Sequence, residues 1–60
     1  MTIEKVNESY STAEYRITSV PADYNLDDLV KEFHIFAPFG YNVKRHPLYK
    51  DTVYITAYID

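Results

Sequence analysis

From Thr52 to Ile59 the side chains alternate without a break. Val53, Ile55, Ala57 and Ile59 fall on one side, and Thr52, Tyr54, Thr56 and Tyr58 on the other. A sustained period of two identifies a β-strand with one buried face. The strand's N–H and C=O groups need neighbours, so the chain has to supply a sheet. With sixty residues it has to do so within one domain, residues 1–60.

Three further stretches can pair with it. From Ala13 to Val20, the side chains of Ala13, Tyr15 and Ile17 face one way and those of Glu14, Arg16 and Thr18 the other; Pro21 is expected to end this strand. Residues 2–8 mix β-branched and charged types and read as a first strand, although Ile3 and Val6 have opposite parity. The turn formers from Asn7 to Thr12 connect the two as a hairpin. Residues 41–46 alternate weakly and give a third strand, joined to the last by a turn over His46–Asp51 that contains Pro47.

Between the second and third strands the period changes. Leu26, Leu29, Val30, Phe33 and Phe36 recur at helical spacing and form one apolar stripe. Asn25 is a suitable N-cap, Asp27 and Asp28 suit the first turn, and Pro38 and Gly40 are expected to stop the helix near Phe36 or Ala37. The expected architecture is therefore α+β. It is a four-stranded antiparallel sheet in the order β-β-α-β-β, with one amphipathic helix on one face. The inward set is Tyr15, Ile17, Leu26, Leu29, Val30, Phe33, Phe36, Val43, Val53, Ile55, Ala57 and Ile59. A helix of about eleven residues is only ~16 Å long and covers one side of such a sheet. The other side would carry Tyr54 and Tyr58, with Arg16, Thr18, Thr52 and Thr56 near them. Tyrosine and arginine are enriched where proteins meet, and seven of the sixty residues are Tyr. The plainer reading is that Tyr and Thr are good strand formers.

Composition narrows the chemistry. Without cysteine there is no disulfide and no thiolate metal site, so a chain this small depends on packing, a partner or self-association. A single glycine leaves no phosphate-cradling loop and no strained turn for a nucleophile. His34 and His46 lack the spacing of a paired metal site, and Asp27 and Asp28, adjacent on a helix, point apart. No catalytic residue, metal or cofactor is expected, and no enzyme. The N-terminal residues lack the charged-then-apolar pattern of a signal peptide, and no apolar run approaches the length of a membrane span. A soluble, cytoplasmic protein is expected.

The net charge of −3 is unevenly spread. Asp23, Asp27, Asp28 and Glu32 place carboxylates around the helix start. They serve the helix dipole and solubility, or else a basic groove that normally holds nucleic acid. Lys44, Arg45, Tyr49 and Lys50 form a basic segment with an aromatic, either a solvated turn or a grip for single-stranded nucleic acid.

Taken together, the compact β-β-α-β-β pattern, the acidic stretch from Asp23 to Glu32 and the Tyr-rich strand from Thr52 to Ile59 resemble the small acidic inhibitors that bacteriophages and mobile elements encode, anti-CRISPR proteins among them. The likeness is one of size, charge and composition and carries over no functional residue. It implies a non-enzymatic inhibitor or adaptor in the host cytoplasm, bound to a larger host protein such as a nuclease effector. The contact residues, read from the sequence itself, are Tyr54, Tyr58, Arg16, Asp23, Asp27, Asp28 and Glu32. Two alternatives stand beside it. One is a single-stranded nucleic-acid module using Lys44, Arg45, Tyr49 and Lys50. The other is a homo-oligomer, at its simplest a homodimer, with the tyrosine face as its seam.

Overall fold

A computed structural model describes residues 1–60. Four strands, β1 (Thr2–Glu8), β2 (Thr12–Thr18), β3 (Tyr41–Arg45) and β4 (Val53–Tyr58), form one antiparallel sheet in the order β1-β2-β4-β3. The two hairpins thus join through β2 and β4, whose alternation in the sequence is the cleanest. The outer positions go to the charged strands, which keep a sheet edge from pairing with other chains. The mismatched parity of Ile3 and Val6 is resolved by a bulge, since Lys5 pairs with Tyr15 and Asn7 with Glu14. Val6 is the extra residue, and the bulge lets Ile3 reach the core while Val6 stays exposed.

Ala13, Ile17, Val53, Ile55 and Ala57 are buried on one face of the sheet. The segment after β2 covers that face with Val20, Leu29 and Ile35. Its helix, α1 (Asp28–Glu32), has five residues and not eleven, and Leu29 is its one buried side chain. Asn25 still shapes the approach, its Oδ1 accepting the Asp27 N–H at 3.1 Å, but it stands two residues ahead of the N-cap position.

The early stop has a specific cause. His34 adopts φ 52°, in the left-handed region. The Ile35 N–H donates to the Val30 carbonyl at 3.0 Å and the His34 N–H to the Lys31 carbonyl at 3.3 Å, the paired bonds of a Schellman cap. The cap turns the chain so that Ile35 enters the core and Phe36, expected inside, is left 68% exposed. Ile59 lies past the end of β4 and outside the core cluster, and Thr52, expected on the open face, is buried just before β4 begins. Strand β2 ends at Thr18, ahead of Pro21, where Ser19 takes φ 60°. No helix is long and apolar enough to cross a membrane.

Candidate functional site

Residues directly opposite one another in an antiparallel pair share a face. The register therefore sets out the uncovered side of the sheet in rows. One row runs Glu4, Arg16, Tyr54, Lys44 from β1 to β3; the next runs Asn7, Glu14, Thr56, Asn42. Tyr58 lies opposite Thr12 at the end of the sheet nearer the β1–β2 turn. Arg16 Nη2 donates to Glu4 Oε1 at 2.5 Å, and this bond, the Glu4 charge and then a hydrogen bond with Tyr54 raise the guanidinium's pKa further. Glu4 on β1 thus ties Arg16 to one side of the face, and Tyr54 lies opposite it on β4.

His46 continues the face beyond β3. Its ring centroid lies 5.9 Å from that of Tyr54 and 4.9 Å from that of Tyr49. Its Nδ1 accepts the N–H groups of Leu48 and Tyr49, each at 3.0 Å, which fixes both the turn and the ring. No such role for this histidine is expected from the sequence pattern. The available signal was its place directly before Pro47, where a side-chain acceptor can close a turn.

The anticipated contact residues divide between the two sides of the sheet. Tyr54, Tyr58 and Arg16 share the open face. Asp27 and its neighbours belong to the covering segment, whose Leu29 packs on the opposite side. Tyr41, which shares the covered face with Val43, donates its hydroxyl to Asp27 Oδ1 at 3.3 Å. Burial first and the Asp27 charge second hold the Tyr41 phenol above its ordinary pKa. Asp23, Asp28 and Glu32 are exposed on that side. One contact with a flat partner therefore cannot use both groups.

The basic set divides too. Lys44 pairs with Tyr54 on the open face, and Tyr49 reaches the same tyrosine through His46. Arg45 points to the covered side. Its guanidinium donates to the Lys50 carbonyl and, at 3.5 Å, to the Pro21 carbonyl, tying the β3–β4 turn to the segment after β2. Lys50 itself is exposed on that turn.

The surface has no enclosed cavity, and no three His, Asp or Glu side chains converge as metal ligands do. No family model, curated protein or solved structure matches this chain.

Proposed function

We propose that this chain is a non-enzymatic binding protein, an inhibitor or adaptor that lays its open sheet face against a larger protein. The observation that carries this reading is the Arg16–Tyr54 pair at the centre of an uncovered sheet, with Lys44 beside it and Tyr58 two rows along the same face. Arg and Tyr supply large contact area together with directional hydrogen bonds, and they dominate the energetics of many interfaces. Their backbone here is a paired strand, so little order is lost on binding. The resemblance to phage and mobile-element inhibitors favours a nuclease effector as the partner, with binding that occludes its nucleic-acid path. Phosphate mimicry by Asp23, Asp27, Asp28 and Glu32 would be a separate contact made by the other side of the molecule.

Capture from a host lysate by tagged protein separates the two sides. The double variant Tyr54→Ala/Tyr58→Ala should lose the captured protein, whereas Asp27→Lys/Asp28→Lys should retain it, both variants remaining folded by circular dichroism. The reverse pattern overturns the assignment of the open face.

The run Lys44, His46, Tyr49 and Tyr54 favours a second reading, a small single-stranded nucleic-acid module, because a cation set beside stacking rings suits that ligand. One phosphate neutralised by Lys44, with Arg16 already paired to Glu4, corresponds to a log–log salt slope of about −0.7. Absence of any gel shift at low salt refutes this reading.

A further inference from the structure

We infer that the open face is also a self-association surface. Two copies stack face to face about a two-fold axis that runs parallel to the strands, midway between β2 and β4. The inference rests on the strand register and does not depend on the inhibitor reading above.

Rotation about that axis lays each row over its own mirror order. In the row Glu4, Arg16, Tyr54, Lys44, the Glu4 of one copy then lies over Lys44 of the second copy, and Arg16 over Tyr54 of the second copy, each contact occurring twice. The first is an ion pair and the second a guanidinium on a phenol ring. The next row follows the same rule, with Asn7 over Asn42 and Glu14 over Thr56, every one a pair that can hydrogen-bond. An axis perpendicular to the strands gives different contacts. Passing through the first row it sets Glu4 on Glu4, Arg16 on Arg16 and Lys44 on Lys44, and like charges set face to face repel. Midway between the two rows it sets Arg16 over Glu14 but leaves Glu4 over Asn7 and Lys44 over Asn42, so only the parallel axis pairs Glu4 with Lys44.

Sheet packing tolerates this geometry. Aligned sheets cross at about 30°, which displaces the edge strands by only about 4 Å relative to their counterparts, within reach of Lys and Glu side chains. The area sets the strength. Four strands ~4.8 Å apart and about six residues long present a footprint of roughly 400 Å² per copy. That is below the ~800 Å² per partner of a standard stable interface, so the dimer is weak and concentration-dependent.

Sedimentation equilibrium on wild type, Glu4→Lys and Lys44→Glu tests the arrangement. Wild type should dimerise reversibly as its concentration rises. Each charge variant sets two like-charged pairs across the seam and should dimerise about tenfold more weakly or not at all. A mixture of the two variants should recover dimerisation, because a mixed pair has opposite charges at both positions. Net attraction cannot imitate that recovery: from a net charge of −3, the substitutions leave −1 and −5, still of like sign. Asp28→Lys, on the far side of the molecule, should dimerise like wild type. Circular dichroism confirms that each variant is folded. A wild-type chain that stays monomeric at millimolar concentration overturns the inference, as do charge variants that dimerise unchanged or a mixture that recovers nothing. None of these outcomes bears on capture of a larger partner, which the tyrosine variants test separately.

Discussion

Replacing Arg45 by Met should destabilise the protein, while the same replacement one residue earlier, Lys44→Met, should not. Arg45 donates to the Lys50 carbonyl within the β3–β4 turn and to the Pro21 carbonyl across to the segment after β2, beside the backbone bond from the Val20 N–H to the Asp51 carbonyl. A hydrogen bond from a charged donor contributes about 1.5–3 kcal/mol. The Pro21 contact, at 3.5 Å, is at the limit of bonding distance and adds little. Arg45 is half-buried, so water screens part of the remaining interaction and replaces part of it once lost. A loss of about 1–2 kcal/mol is reasonable. Met keeps the apolar stem in place, so the substitution removes the polar contacts and little packing. For a domain of this size, ~1 kcal/mol corresponds to about 4–8 °C in melting temperature, giving an expected fall of roughly 5–15 °C. Lys44 is exposed on the open face and makes no ion pair, so its replacement should move the melt by less than about 0.5 kcal/mol. Thermal melts by circular dichroism at low protein concentration decide it. An Arg45→Met melt that overlays wild type would refute the structural role and return Arg45 to the pool of free surface cations.

Leu29→Ala should be the most damaging single truncation in the covering segment. Leu29 is fully buried and is the helix's one buried side chain, and such truncations cost about 2–5 kcal/mol. A chain of this length has only ~3–9 kcal/mol in total, so urea titration should find the variant largely unfolded or close to it; a midpoint near wild type would show that the helix contributes little. Alkaline pH should destabilise the fold through Tyr24 and Tyr41, both raised above the ordinary phenol pKa, chiefly by burial. The folded state holds these protons more tightly. Their contribution is therefore fully present below the unfolded tyrosine pKa and is lost as pH rises through the folded one. Absorbance titration should detect phenols ionising above the free-tyrosine value, with one fewer in Tyr41→Phe; the same curve for both proteins would contradict the Tyr41 assignment.

What was readable from the sequence follows physical range. The parity of β2 and β4 depends only on neighbours along the chain, and Ile17, Val53, Ile55 and Ala57 are all fully buried as that parity requires. The helix ends earlier than Pro38 and Gly40 predict, because the left-handed residue is His34. A histidine gives no conformational warning of the kind a glycine gives, and its turn puts Ile35 rather than Phe36 in the core. The bulge at Val6 was visible as a parity conflict, but its solution required the partner strand. Lys44 and Arg45 are adjacent cations, and the sequence grouped them; the pleat sends one to the open face and the other under the turn. The separation of the acidic residues from Tyr54 and Tyr58 is a matter of which side the covering segment crosses, and no local pattern records that.

Self-association and partner capture, as proposed, both use the open face and so would exclude one another, which has a measurable consequence. Far below the dimer dissociation constant nearly every chain is a monomer, and partner occupancy at low saturation rises in proportion to total chain. Far above it, mass action makes free monomer rise only as the square root of the total. A log–log plot of partner occupancy against chain concentration should then bend from a slope of one to a slope of about one half. Because the seam is small, the bend belongs at high concentration. Glu4→Lys, which weakens the seam while leaving Tyr54 and Tyr58 in place, should keep a slope of one over the same range. Identical bending in wild type and Glu4→Lys would mean that something other than this seam limits the free face.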